Sequence, residues 1–542
     1  MGRHIEESAQ KILGGTRVLS VGQACSDAPA GWAWVKLTDV ARLESGHTPS
    51  RSHPEYWDGS IPWISIPDAH EHHGRIIFRT EQCVTPAGIE NSAARVLPAG
   101  TVCLSRTASV GYAVVMGCPM ATSQDFVNWV CCEALEPRFL QLVFLAEGEN
   151  LRRFGKGTTH TTIYFPEVLA FHICLPPMPE QRRIVAKLDA LLARSRRTKE
   201  ALDALPALIE RCRQSVLAAA FRGDLTRDWR EQNPDVEPAP KLRERIQIER
   251  RRRWEEAELE RMRTKGKLPG NNEWKQRYRE SPQIRANAIP SLPAGWAWMT
   301  LGDVAPLQAG YAFSASEFRS SGVRLLKGVN VRDGWISEDE LDYWEPSDSD
   351  KYLPFRLRED DVVLAMDRPV YSSGTKATKV ARLDARWHGA LLLQRVGRFQ
   401  PVPSIDVRYL WAYVRSNAFR SHLIAQQNGS QDGKDLPHVS AGVVDSALIP
   451  VPPMEEQRLI CDYVEQSFAR ADSIRNQQAN ASSELESLDK SIFESAFRGE
   501  LVLKDPADEP ASVLLERVRA AKSLANEDEP GVRRRRPKTK VA

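Results

Sequence analysis

Four sets of polar residues could do chemistry. His70-Glu71-His72-His73 offers three imidazoles and a carboxylate, donors of the kind zinc takes. The set lacks the helical spacing that puts two histidines on one face beside a general base, so no metal is expected there. Asp235, Glu237 and Lys241 carry the residue types of a carboxylate–lysine nuclease, but they lie in a proline-rich stretch that does not hold such spacing. Lys156-Gly157-Thr158-Thr159-His160 and Gly429-Ser430-Gln431-Asp432-Gly433-Lys434 are polar, glycine-containing loops, the second followed by His438. Such loops can present donors to phosphates and base edges, with ordinary solvated loops as the alternative. Arg106 and Arg368 follow strand-like runs in corresponding regions and join that DNA-contact set.

No set amounts to an engine. The chain has no G-x-x-x-x-G-K-[ST] phosphate loop, no G-x-G-x-x-G after a strand and no N-P-P-[FY] of an amino-methyltransferase. The expectation is a non-catalytic chain that holds no metal or cofactor of its own.

The elements that position these loops are written twice. Ala30-Gly31-Trp32-Ala33-Trp34 recurs as Ala294-Gly295-Trp296-Ala297-Trp298, an offset of 264. Arg138-Phe139-Leu140 recurs as Arg408-Tyr409-Leu410, an offset of 270. Pro176-Pro177-Met178-Pro179-Glu180-Gln181-Arg182 matches Pro452-Pro453-Met454-Glu455-Glu456-Gln457-Arg458, and Ala220-Phe221-Arg222-Gly223 matches Ala496-Phe497-Arg498-Gly499, both at 276. The offset drifts where loops tolerate insertion and is constant from Gln181 to Phe221 and from Gln457 to Phe497.

Those constant spans predict long helices. Ile184, Leu188, Leu191, Ser195, Thr198, Leu202, Leu205, Ile209, Cys212, Val216 and Ala219 recur at 4,3 spacing, the period of a coiled-coil seam. The second copy runs Ile460, Val464, Ser467, Ala471, Ile474, Gln478, Ala481, Leu485, Leu488, Ile492, Ser495. Forty helical residues reach roughly 60 Å. Pro206 inside the first copy is expected to kink it. Short β-branched runs such as Thr101–Leu104, Ala113–Met116 and Asp361–Leu364, separated by turn residues, predict strands in mixed α/β domains, with Trp32, Trp34, Trp296 and Trp298 as core aromatics.

Composition adds limits. The 542 residues suffice for about three to four domains. A net charge of +3 is too even to name a partner, although Arg250–Arg253 and Arg533–Arg536 are local basic runs. Glutamates interleave with the first run, so a solvated helix face competes with phosphate binding there. Nine cysteines, an odd number without C-x-x-C, argue for thiols in a reducing cytosol. No membrane-length apolar run and no signal peptide appear, which predicts a cytoplasmic protein.

The order S-G-x-T-P-S (Ser45–Ser50), I-P-W-I-S (Ile61–Ser65), P-P-M-x-E-Q-R and A-F-R-G-[DE]-L resembles type I restriction-modification specificity subunits, as do G-Y-A-F (Gly310–Phe313) and L-P-H-V-S (Leu436–Ser440). The resemblance implies two mixed α/β target recognition domains separated by two long antiparallel coiled-coil helices, an α/β fold with an internal pseudo-twofold repeat. It covers about residues 29–230 and 291–505 and places recognition domain 1 at 29–175, spacer helix 1 at 176–228, recognition domain 2 at 291–450 and spacer helix 2 at 451–503. The chain departs from the family pattern by an N-terminal extension at 1–28 and an Arg-rich helical linker at 229–290, and a C-terminal helix and basic tail are expected at 504–542. The resemblance further implies double-stranded DNA as ligand and two modification (methyltransferase) subunits as partners, with ATP-dependent restriction subunits as possible additions, in a bacterial or archaeal cytoplasm. S-adenosylmethionine, ATP and Mg2+ then belong to those partners. Glu180, Gln181, Ile184, Leu188, Phe221, Arg222, Glu456, Gln457, Ile460, Val464, Phe497 and Arg498 are the expected helix-pairing and partner-binding residues. The alternative is a non-catalytic coiled-coil adaptor whose ends bind other proteins.

Overall fold

The computed structural model describes residues 18–22, 27–107, 109–152, 162–264, 266, 269–278, 280, 289–370, 377–425 and 438–527. Two compact units result: Met1–Leu202 with Asn480–Ala542, and Asp203–Ala479. Each therefore combines one globular domain with one half of each long helix.

In the first unit the main sheet has the order Ala41–Ser45, Phe126–Cys131, Val102–Ser105, Ala113–Met116, Ile76–Ile77. Its pairs are antiparallel except the last. Val102–Ser105 and Ala113–Met116 are buried along their whole length, which is why they read as continuous apolar runs rather than alternating ones. The helix Pro137–Ala146, started by a proline at its first position, buries Phe139, Leu140, Leu142, Val143 and Phe144 against the core. A three-stranded sheet, Leu19–Val21, Phe171–Leu175 and Ala33–Lys36, and a smaller one built on Trp57–Ile64 complete the domain.

The second unit repeats the plan. Leu307–Ala309, Val396–Phe399, Val362–Ala365 and Val380–Arg382 form its main sheet in that order, and Val407–Val414 is the counterpart of Pro137–Ala146. Ala297–Thr300 pairs with Leu448–Val451 as Ala33–Lys36 pairs with Phe171–Leu175. Trp32 and Trp296 are buried in the two cores, whereas Trp34 and Trp298 are half-buried.

The long helices span Met178–Arg222 and Met454–Phe497, 45 and 44 residues. Pro206 lies inside the first, which continues past it to Arg222. Each domain receives the start of one helix and the end of the other, so the halves in a unit run antiparallel. In the first unit Gln181 accepts from the Glu136 N–H and donates to the Ala134 and Pro176 carbonyls. Phe497 packs edge-on against Phe139 at 5.9 Å, and Ser195 donates to Asp489 at 2.7 Å. In the second, Gln457 makes the same three bonds, to Asp406, Ser404 and Pro452. Phe221 sits edge-on to Tyr409 and Tyr413, and Arg213 reaches Asp472 at 2.7 Å.

Two expectations change here. Gln181 and Gln457 have no exposed surface, and Glu180 and Glu456 are buried under the Trp32 and Trp296 indoles, which donate to them at 3.1 and 2.8 Å. These four residues fasten each helix to its own domain, the role their burial and internal hydrogen bonds show. Ile184, Leu188, Ile460 and Val464 are likewise buried in the domain cores, while Arg222 and Arg498 are exposed and pair with Asp224 and Glu494. The second change concerns the seam. Thr198, Cys212, Ile474 and Leu488 are exposed, and neither 196–208 nor 472–495 holds a buried residue. Two helices lying side by side can each cover only a narrow stripe of the other, so full burial is confined to stretches that also meet a globular domain.

The charged stretch after the first long helix is a helix, Ala239–Thr264, that buries Leu242 and Ile246 in the second core. The helix Ala511–Glu527 does the same for the first core with Leu515 and Val518. Arg250 meets Asp303 and Tyr278, Arg251 and Arg252 pair with Glu255 and Glu256, and Arg253 donates to the Pro401 carbonyl. This basic run is thus engaged within the protein; the run at 533–538 lies outside the described residues. Among the described residues no helix is long and apolar enough to cross a membrane.

Candidate nucleic-acid interface

Each main sheet has two different ends. Phe126–Cys131 runs from its pairing with Ser105 to the turn whose Ala134 carbonyl binds Gln181. One end thus abuts a long helix, and the other lies about 20 Å away at some 3.3 Å per residue. Val396–Phe399 has the same polarity, from Ala365 toward the Ser404 carbonyl that binds Gln457.

At the far end four chain segments are knotted together, identically in both copies. In the first unit Arg106 N–H donates to the Asp125 carbonyl at 2.8 Å, Ile163 N–H to the Arg106 carbonyl at 2.9 Å, and His47 N–H to the Thr122 carbonyl at 2.9 Å. In the second, Met366 donates to Arg395 at 2.8 Å, Val439 to Met366 at 2.8 Å, and Tyr311 to Leu392 at 2.9 Å. Glycine is required at the crossing. A Cβ on Gly46 would stand 1.9 Å from the Ser123 carbonyl oxygen, and one on Gly310 would stand 2.1 Å from that of Leu393. The S-G-x-T-P-S and G-Y-A-F motifs are therefore the positions where this loop crosses the neighbouring turn.

Around this shared frame the displayed side chains differ. On the first rim Arg106 donates to the Gln124 carbonyl at 3.3 Å and lies over the Phe165 ring at 4.8 Å. Thr48 bonds the Gln124 side chain. Beyond it, Arg51 stacks on Trp57. On the second rim Asp367 accepts from Arg395 and from the His438 imidazole, both at 2.9 Å. Burial pushes the Asp367 carboxyl up, but these two hydrogen bonds outweigh it and hold the group below its ordinary range. Arg368 and Arg395 both adopt left-handed backbone, φ 45° and 67°, at a strain cost of about 1 kcal/mol each.

The sequence-derived DNA-contact residues distribute as follows. Arg106 and His438 lie on the rims, and Arg368 is exposed two residues beyond the knot. The counterpart of Arg106 is Met366, so the two arginines occupy corresponding regions but different positions. Lys156, Thr158, Thr159, His160, Ser430, Gln431 and Lys434 lie outside the described residues; the described chain resumes at 162 and 438, one residue before each knot. Sequence reasoning missed Arg51, Gln124, Asp367 and Arg395, which no spacing rule marks because their partners come from other strands. Of the histidine cluster, His73 accepts from the Ala113 N–H, and His70 and His73 pack on Tyr112. Among the described residues no group of three His, Cys, Asp or Glu side chains could hold a metal ion. Glu237 pairs with Arg245 rather than with Lys241.

A family described as the type I restriction modification DNA specificity domain matches residues 29–207 and 293–482. The chain is 26% identical over 402 residues to the specificity subunit of the Escherichia coli type I restriction enzyme EcoDI, covering 72% of this chain and 78% of that protein. It is 23% identical over 504 residues to the Escherichia coli EcoAI specificity subunit, covering 83% and 79%. A chain solved in work on complex assembly and conformational transition of the type I restriction-modification system has the same fold, with a TM-score of 0.59 at 19% identity over 88% of this chain and all of that one.

Proposed function

We infer the function from one premise, that this chain belongs to the type I restriction-modification DNA specificity family. It is the DNA-reading subunit of a methyltransferase complex that restriction subunits can join. Each globular domain reads one half of a bipartite target, and the paired helices set the spacer and dock the modification subunits. Catalysis, S-adenosylmethionine, ATP and Mg2+ reside on those partners. The functional parts are the recognition domains 29–175 and 291–450 and the spacer helices 176–228 and 451–503.

The observation that carries this reading is the rim built twice. The same backbone knot stands at the sheet end away from the long helices and displays different side chains in the two copies, as two readers of unlike half-sites require. The contact set we propose is Arg106, Lys156, Thr158, Thr159 and His160 in the first domain and Arg368, Ser430, Gln431, Lys434 and His438 in the second. Leu208, Ile474 and Leu488 are exposed at 46%, 46% and 53%, apolar surface suited to a partner subunit.

The test is to insert seven residues after Leu202 and seven after Ala481, which the pairing of Ser195 with Asp489 brings close to one level. Seven residues add about 10.5 Å, or about three base pairs at 3.4 Å each. Methylation mapping in a host carrying the variant should show an unread spacer longer by about that amount. An unchanged spacer refutes the ruler. DNA binding without sequence preference or salt dependence would favour an adaptor instead.

A further inference from the structure

We propose that Arg51 reads a guanine in the half-site of the first domain, an inference that rests on the DNA-reading function above. Arg51 follows directly on the S-G-x-T-P-S motif, on the loop that Gly46 and Thr48 lock onto the turn at Gln124. The same turn accepts the Arg106 side chain, so Arg51 belongs to the rim and not to the face that meets the long helix.

Its guanidinium is held in place by an aromatic contact and a hydrogen bond. The central carbon lies 4.4 Å from the Trp57 ring centroid and 5.7 Å from that of Trp63. The two indoles are perpendicular, at 89° and 5.1 Å. Each is fixed by its own N–H, Trp63 to the His47 carbonyl at 3.1 Å and Trp57 to the Ser50 carbonyl at 3.3 Å. Gln82 Oε1 takes one hydrogen from Nη2 at 2.9 Å. Among the described residues no carboxylate pairs with Arg51, and its side chain is exposed. Four of its five N–H donors have no hydrogen-bond acceptor among the described residues.

A planar fork with at least one hydrogen still free on each terminal nitrogen matches O6 and N7 of guanine on the major-groove edge. A phosphate also accepts a bidentate fork, but only a contact to a base edge makes binding depend on sequence. Stacking removes rotamer freedom before binding, which strengthens the contact it leaves available. The second domain keeps the frame and changes the display. After Gly310 come Tyr311 and Phe313, packed with Tyr352 at 4.9 and 4.7 Å. Two readers of different sequences should differ at such a position.

The experiment uses the full chain reconstituted with its modification subunits and a DNA library randomised at every position of both half-sites. Arg51→Gln should abolish preference at one G·C pair of one half-site and weaken binding of the best site about 5- to 150-fold. Preference across the other half-site, read by the second domain, should be unchanged and reports that the variant is folded. Gln82→Ala, which frees the guanidinium without removing it, should weaken the same preference partially. Weaker binding to all sequences, rescued by Arg51→Lys and accompanied by a salt slope smaller by about one, would identify a phosphate contact and overturn the guanine assignment. Unaltered selectivity in Arg51→Gln overturns it as well. A wild-type complex without selectivity at any position would instead remove the DNA-reading function on which this inference rests.

Discussion

Glu456→Gln should destabilise the second unit far more than Glu180→Gln destabilises the first, although both residues occupy the same place in the P-P-M-x-E-Q-R repeat. Glu456 has no exposed surface and accepts from the Trp296 indole at 2.8 Å and the Thr226 hydroxyl at 2.6 Å, and it pairs with Arg230, whose side chain is 14% exposed. Substitution by Gln conserves volume but leaves the Arg230 guanidinium facing an amide. Removing one partner of a buried pair costs about 3–5 kcal/mol. Because Arg230 also donates to the Gly223 carbonyl at 2.5 Å and keeps some access to water, the lower end, about 3 kcal/mol, applies. For a unit of this size that is a fall of about 6–12 °C in its melting transition. Among the described residues Glu180 accepts a hydrogen bond from Trp32 alone, at 3.1 Å, and its neighbour Arg183 is taken by Asp508 at 2.5 Å. Burial pushes the Glu180 carboxyl above its ordinary value of 4.5, so a neutral isostere relieves a desolvation cost, and the change should stay within about 0.5 kcal/mol. Its folded value is raised, so its contribution to stability is complete below 4.5 and is lost as pH rises through the raised value. Glu180→Gln should flatten that slope. Thermal scans with hydrogen exchange resolved to 226–230 and 180–188 separate the two units. Equal costs for the two substitutions would refute the claim that Arg230 distinguishes the sites.

Further outcomes are expected. Phe497→Ala should destabilise the first unit by about 3–5 kcal/mol, and Phe221→Ala the second by a similar amount, each seen as lost exchange protection in the domain that holds the ring. Gly46→Ala should abolish selectivity at one half-site only, since its Cβ collides with the Ser123 backbone; retained selectivity at both would show that the crossing is unimportant. Asp367→Asn should remove stability that wild type holds above the ordinary aspartate value of 3.8 and loses as pH falls below it, measured by acid titration of a second-domain fluorescence probe. Native thiol labelling should modify exposed Cys212 readily, while Cys174 and Cys461, pushed up to about 12 chiefly by burial, react only on unfolding.

The repeat, the two long helices and several strands could be read directly from the chain. Ala113–Met116 is a strand with the bounds its residues suggest, because an apolar β-branched run between turn residues has few other uses. The helical seam was legible only in part. The 4,3 spacing marks Ile184, Leu188, Ile460 and Val464 correctly as buried, but it cannot say that Ile474 and Leu488 stay exposed. Periodicity reports a preference for one face, whereas burial depends on whether a domain lies over that face.

The polar residues divide along the same line. The sequence by itself determined that Glu180-Gln181 and Glu456-Gln457 are a repeated pair and that the loops at 156–160 and 429–434 are polar. Only the tertiary structure decided that the repeated glutamines are internal fasteners, that Arg106 is matched by Met366, and that Arg51 packs on Trp57 and bonds Gln82. The reason is physical. Type and spacing fix what a side chain could bond to along its own element, within a few residues. Whether a buried carboxylate pairs with Arg230, as Glu456 does, or accepts from an indole, as Glu180 does, or an exposed guanidinium meets Trp57 and Gln82, depends on segments brought together by sheet register and helix docking, and those contacts leave no period in the chain.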